Sequence, residues 1–301
     1  MKKLKNNDGV EYYVIDRLSD IQNQMFRLLS IVDKICRENG LQYFLDGGTA
    51  IGGLRHKGFV PWDDDLDISM LKPDYIKLVE ILKNMDRSKY FVFDYDFSVL
   101  CCTYFGEYVP IFSSPDEKKR RIRPIKIDIR PVNVIEDTEE NRKENVILRQ
   151  LANYLVFNEC DADKKEQVIE YFKSRFNSDR KQFFRFYNLE YGRFDDLDHA
   201  FLAHPYLKFS SSNVYDQSDV FPLKEVKFES LQTFVPVTDV FLTDVYGDYM
   251  SFPKLESRKP EALKVFDCKR YMPLYKYLIN KNQKSFLQKV CFAVKANLFC
   301  K

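Results

Sequence analysis

Four aspartates crowd into one short stretch of this chain, at Asp63, Asp64, Asp65 and Asp67. Two carboxylates about 5 Å apart in an effective dielectric of about 20 repel by roughly 3 kcal/mol, so a fold that holds them together must also supply positive charge. The residues that follow narrow the choice, because Leu66, Ile68 and Met70 alternate with Asp65, Asp67 and Ser69. In a strand this period of two sends the apolar set into the core and leaves Asp65 and Asp67 side by side on the opposite face. Paired oxygen ligands of that kind suit Mg2+ or Mn2+. A solvated acidic turn is the competing reading, and the interleaved apolar residues argue against it. A calcium-binding EF-hand loop is excluded: counting from Asp63 puts Ile68 where its glycine belongs and Asp74 where its bidentate glutamate belongs.

Upstream, Ile21, Met25, Leu28, Leu29, Val32, Ile35 and Cys36 recur at helical spacing, which predicts a helix from about Ser19 to Asn39, with Ser19 and Gln22 as a capping box and Gly40 as its stop. A short strand, Leu41 to Leu45, then leads into Gly47-Gly48 and a helix running to Lys57 and ended by Gly58. The glycines form neither a Walker motif nor G-x-G-x-x-G. Glycines that follow a strand and open a helix still let backbone N–H groups approach an anion.

Further along, Pro73 opens a helix over 74–85, aromatic and β-branched runs at 90–96, 99–105 and 108–113 read as strands, and the basic segment 118–126 enters a strand through Ile127-Asp128-Ile129. Residues 138–191 carry helical spacing, and 205–237 return to strand chemistry with a hairpin bracketed by Pro222 and Pro236. The second half therefore reads as a helical segment with a small β appendage. With 45% hydrophobic residues in 301 the chain has ample material for a core, and a net charge of +2 excludes a general polyanion binder. No nucleic-acid partner is expected. Seven cysteines without a C-x-x-C pair, and only three histidines, disfavour disulfides and zinc. Nowhere do about 18 uncharged apolar residues follow one another, so a cytoplasmic protein is expected. From Tyr271 to Lys301 six lysines and no acid are interleaved with Phe and Leu, giving a basic amphipathic tail suited either to packing on its own domain or to the inner face of an anionic membrane.

The order strand, glycine turn, helix, returning strand with paired aspartates, and a third carboxylate at Asp128 is the pattern by which a nucleotidyltransferase fold holds a nucleotide phosphate and its metal. The stretch Phe44-Leu-Asp-Gly-Gly-Thr-Ala-Ile-Gly-Gly-Leu-Arg-His-Lys-Gly-Phe-Val-Pro-Trp-Asp-Asp-Asp-Leu-Asp-Ile68 resembles the core signature of the LicD family. Similarity continues at Ile127 to Pro131, at Phe221-Pro222-Leu223 with Val226 to Phe228, and at Tyr246-Gly247-Asp248-Tyr249 followed by Pro253.

The resemblance implies an α+β, nucleotidyltransferase-like mixed sheet core with flanking helices, a catalytic domain over 17–255 (core about 19–135), and 256–301 as a C-terminal extension. It implies transfer of a phosphocholine-like group from a CDP-linked donor such as CDP-choline to a sugar hydroxyl of a cell-surface glycan or lipid-linked glycan. Relatives such as fukutin and fukutin-related protein handle ribitol phosphate. By position, Gly47 and Gly48 with Thr49 form the phosphate turn, and Arg55 and Lys57 are candidate phosphate contacts. Asp65 and Asp67 are the metal pair for Mg2+ or Mn2+, Asp63 an adjacent ligand, and Asp128 the third carboxylate and candidate base. His56 is the second candidate for base. Arg130 departs from the family, which carries an aliphatic or aromatic residue before Pro131. His199 and His204 receive no role. Nucleotidyl transfer and a non-catalytic binding module remain open alternatives.

Overall fold

The computed structural model describes residues 2–5, 11–14, 18–93, 102–111, 123–204, 214–254 and 257–258. Two short strands, β1 (Lys2–Lys5) and β2 (Glu11–Val14), pair antiparallel ahead of the main body. Helix α1 (Leu18–Glu38) buries the stripe that its periodicity foretells, Ile21, Met25, Leu28, Leu29, Val32 and Cys36, and the left-handed Gly40 (φ 64°) turns the chain away. The strand after it, β3, is shorter than expected, Phe44–Leu45. Helix α2 (Gly47–Ile51) continues through a π turn, Gly52–His56, and it is Lys57, at φ 58°, that ends the helix one residue before Gly58.

Strands β4 (Asp67–Leu71), β5 (Tyr90–Phe93), β6 (Thr103–Ile111) and β7 (Arg123–Glu136) build the sheet in the order β3-β4-β7-β6-β5. Helix α3 (Lys72–Lys83), with its proline in the first turn, joins β4 to β5. The β4–β7 pair is parallel and the pairs β3–β4, β6–β7 and β5–β6 are antiparallel. Where the sequence suggests two strands, 99–105 and 108–113, one strand, β6, runs past Gly106, whose added Cβ would lie 2.3 Å from the Ile125 carbonyl oxygen, and its register against β7 shifts between Gly106 and Pro110. Alternation on the central strands sorts the sheet's faces. Leu66, Ile68, Met70, Ile125, Ile127, Ile129 and Phe105 are buried with the stripe of α1 and with Tyr75, Leu78 and Leu82 of α3. The other face of β4 and β7 carries Asp67, Ser69, Lys126, Asp128 and Arg130.

The far half of β7 pairs with β8 (Ala200–Ala203), which pairs with β9 (Val214–Asp216), extending the sheet to seven strands. Of the β segment expected after the helices, β9 thus joins the main sheet. Helices α4 (Glu139–Phe157), α5 (Lys165–Phe176) and α6 (Arg180–Arg185), the last prolonged by a π turn, Phe186–Glu190, leave and rejoin the sheet where Glu136 faces Ala200. They close a separate aromatic core around Phe176, Phe183, Phe184 and Tyr187. After α7 (Gln217–Val220), the expected hairpin appears as β10 (Lys224–Phe228) and β11 (Leu231–Val235), and α8 (Val240–Tyr246) follows. The architecture is α+β. Among the described residues no helix is long and apolar enough to cross a membrane. Residues 118–122 and, apart from 257–258, the tail from 255 onward lie outside the described residues.

Candidate active site

The glycine turn is tied to the acidic strand through backbone and side chain together. Asp46 leaves β3 and caps α2, its Oδ1 accepting the Gly47 N–H at 2.8 Å. Its own N–H donates to the Asp67 carbonyl (3.1 Å), and the Asp67 N–H donates to Thr49 Oγ1 (2.9 Å). Thr49 therefore fixes the start of β4. On the far side of β4, Asp128 donates its N–H to the Leu66 carbonyl (2.8 Å) and stands in register with Asp67. Both carboxylates are buried, Asp67 at 4% and Asp128 at 9% exposure, while Asp63 is half-buried and Asp65, just ahead of the strand, is exposed.

The two glycines make room for carboxylates. A Cβ on Gly48 would stand 2.6 Å from Asp63 Oδ2, and one on Gly47 (φ 51°) would stand 3.4 Å from Asp67 Oδ2 and 3.3 Å from the Tyr246 hydroxyl. Any side chain at Gly48 would force Asp63 aside. The acidic turn itself is held from α1, where Gln22 Nε2 donates to the carbonyls of Asp63 (2.9 Å) and Val60 (3.3 Å) in place of the capping-box bond expected of it.

Positive charge meets this acid from β7. Arg130 Nη2 lies 3.0 Å from Asp67 Oδ1 and its Nη1 lies 3.4 Å from Asp46 Oδ2. That Asp67 oxygen is buried and has the guanidinium beside it without an aligned hydrogen bond. Lys126 pairs with Asp128 and lies 4.2 Å from the centroid of the Tyr104 ring. Asp46 Oδ2 also accepts from Ser69 Oγ (2.8 Å) and sits 2.9 Å from His204 Nε2. Burial pushes the Asp46 carboxyl up, but His204, Arg130 and Ser69 outweigh it and hold Asp46 well below the usual carboxylate range. Asp67 goes the other way: burial, then Asp65, Asp128 and Asp46, raise it despite Arg130. Asp63 is pushed up to about 9 by burial and by Asp65, Asp67 and Asp64.

Raised carboxyls of this kind mark negative charge in excess of its compensation, and an all-oxygen donor set is the chemistry a hard divalent ion takes. Asp63, Asp65, Asp67 and Asp128 fit such an ion by donor type. Among the described residues, though, no three acidic, His or Cys side chains already stand as a metal-ligating group, so the carboxylates form an open face with Arg130 and Lys126 drawn up against two of them.

Other expected residues are engaged elsewhere. The Arg55 guanidinium donates to the carbonyls of Tyr249 (2.6 Å) and Ser251 (3.0 Å) and lies over Phe252. His56 packs edge-on to Trp62 and Phe252, accepts from Arg55 Nε (3.0 Å), and is pushed down by burial and by Arg55. Trp62 packs against His56, Phe252 and the Arg258 guanidinium. Lys57 is the exposed, left-handed end of its helix and its carbonyl accepts from the Glu229 N–H. Sequence reasoning passed over Asp46, Arg130 and His204. His204, given no role, is buried against Phe241 and bonded to Asp46. The signal for Arg130 was there in Lys126-Ile-Asp128-Ile-Arg130, whose alternation puts both cations on the face of Asp128.

Residues 40–150 match the LicD/FKTN/FKRP nucleotidyltransferase domain. This stretch of the chain thus carries a LicD-family domain. The LicD match takes in the glycine turn, all the aspartates of the site, Lys126 and Arg130, while His204 and Tyr246 lie beyond it. Over 64 residues the chain is 41% identical to lipopolysaccharide cholinephosphotransferase LicD of Haemophilus influenzae, covering 20% of this chain and 24% of that protein. Uncharacterized proteins of Rickettsia prowazekii and Rickettsia typhi are 34% identical over 68 residues and 30% identical over 77, covering 23% and 26% of this chain and 26% and 25% of theirs. The aligned segments thus span about a quarter of the length of each of these relatives.

Proposed function

We propose that this chain transfers a phosphocholine-like group from a CDP-linked donor such as CDP-choline to a sugar hydroxyl of a cell-surface glycan, with Mg2+ or Mn2+ bound. The observation that carries the reading is the pairing of Asp67 with Asp128 in register beside a glycine turn pressed against Asp63 and Asp67. The likeness to a lipopolysaccharide cholinephosphotransferase supports the choice of cargo and acceptor.

Asp65, Asp67 and Asp128 would hold the ion, with Asp63 beside them. When bound, the ion neutralises charge growing on the phosphate oxygens and aligns donor with acceptor. The acceptor hydroxyl oxygen forms a bond to the distal phosphorus, the bond from that phosphorus to the bridging oxygen breaks, and CMP leaves with the electron pair. Asp128 takes the hydroxyl proton. Gly47 and Gly48 let the carboxylates of Asp67 and Asp63 close on the turn, and Arg130 holds Asp67 in place.

The test is incubation of purified protein with a panel of CDP-linked alcohols and cell-envelope glycan, following CMP with and without EDTA. CMP release that needs both glycan and divalent ion is expected. Diphosphate release instead would make the protein a nucleotidyltransferase, and nucleotide binding without turnover on any acceptor would make it a binding module.

A further inference from the structure

Strand β7 offers two cations to the acidic face, and the structure treats them differently. The Arg130 side chain is 15% exposed and its guanidinium is wedged between Asp46, to which it donates, and Asp67, which it faces at 3.0 Å. Lys126 is 25% exposed, and its ammonium hydrogen-bonds to and pairs with Asp128 and lies over the Tyr104 ring. One carboxylate holds this ammonium where two face the Arg130 guanidinium, and an ammonium is a point charge with rotatable donors on a flexible four-carbon stem.

We propose that Lys126 is an exchangeable countercharge: it neutralises Asp128 while no divalent ion is bound, and turns to the donor's phosphates once an ion takes that carboxylate. This inference rests on the functional reading above, since it needs an ion at Asp128 and a diphosphate on the same face. Its physical basis is charge balance. An ion bound to Asp128 repels the ammonium beside it, and the diphosphate brings new negative charge to the face on which Lys126 stands. Ion and nucleotide then help each other bind, by equal factors in both directions. Arg130 takes no part in the exchange, because Asp46 retains it when Asp67 is occupied.

The two ligands give opposite signs, which a purely structural lysine does not. In Lys126→Met, the affinity for Mn2+ alone, read from free-ion electron paramagnetic resonance, rises about tenfold because a competing cation is gone. The affinity for CDP at saturating Mn2+, read by calorimetry, falls about tenfold because a phosphate partner is gone. Lys126→Arg restores CDP binding. Parallel weakening of both ligands, or no change in either, overturns the proposal while leaving the functional reading standing. A wild-type protein that binds neither Mn2+ nor CDP overturns the functional reading, and this one with it. Should Lys126→Met fail to fold in a thermal melt, Lys126→Gln is read by the same pair of titrations.

Discussion

At the scale of single residues, the site is a problem of unbalanced charge, and its predictions follow from that. Asp65→Asn and Asp67→Asn are each expected to abolish CMP release while leaving the circular dichroism spectrum unchanged; wild-type turnover in either variant would refute the assignment of the ion. Gly48→Ala drives a Cβ to 2.6 Å from Asp63 Oδ2, and the displaced carboxylate should weaken Mn2+ binding about 10–100-fold, the usual cost of disturbing the surroundings of a metal ligand. The Asp63 carboxyl, raised to about 9 in the fold, ionises near its ordinary value once unfolded, so the folded state binds the extra proton between those limits. Without metal, the stability that Asp63 contributes is full in acid and is lost as pH rises through about 9, and Asp63→Asn should flatten the melting temperature across that window. Mn2+ must displace the same proton, so its affinity should climb with pH in the wild type more steeply than in Asp63→Asn. The facing of Asp67 on its strand was legible from alternation with Leu66 and Ile68. Asp46 and its partners were not, because Arg130 and His204 reach it from 84 and 158 residues away, and no local period encodes such a meeting.

At the scale of elements, α1 shows both what periodicity reveals and where it stops. Its buried stripe follows from the spacing of Ile21 to Cys36, because a helix presents residues three and four apart on one face. The partner of Gln22 does not, since the choice between a cap and the carbonyls of Val60 and Asp63 depends on where the acidic turn sits in space. Gln22→Ala leaves the Asp63 carbonyl without its side-chain donor, while Val60 keeps the Asp63 N–H, at about 0.5–1.5 kcal/mol of stability, and should weaken Mn2+ binding by loosening the turn. In the inserted helices the forces are apolar. Phe183 of α6 is fully buried and touches the rings of Phe176, Phe184 and Tyr187, so Phe183→Ala should cost about 3–5 kcal/mol in denaturant unfolding. A loss under 1 kcal/mol would show that this core contributes little. The long strands were harder to read: the runs 99–105 and 108–113 suggest two strands, and the chain instead continues as β6 with a register shift against β7 between Gly106 and Pro110.

At the scale of the whole molecule, an ion that binds only the folded chain must stabilise it, by about 2.7 kcal/mol at a hundred times its dissociation constant. Millimolar Mn2+ should therefore raise the melting temperature of the wild type and not that of Asp67→Asn. The family signature spanned the glycine turn and the acids because those chemistries sit close in sequence. The placing of the second half escaped it, since β8 joins β7 across the whole helical insertion. That junction has a further meaning. Glu136 faces Ala200 across paired strands, so the intervening excursion departs and returns at a single doorway. Length and shape can change in its helices without shifting the strands that hold Asp67 and Asp128, provided the segment 192–194 still bonds to Val134 of β7 and something answers the Lys72 ammonium, now bound by the carbonyls of Tyr187 and Asn188. The molecule thus carries an exchangeable cassette on a chassis whose working parts stay aligned.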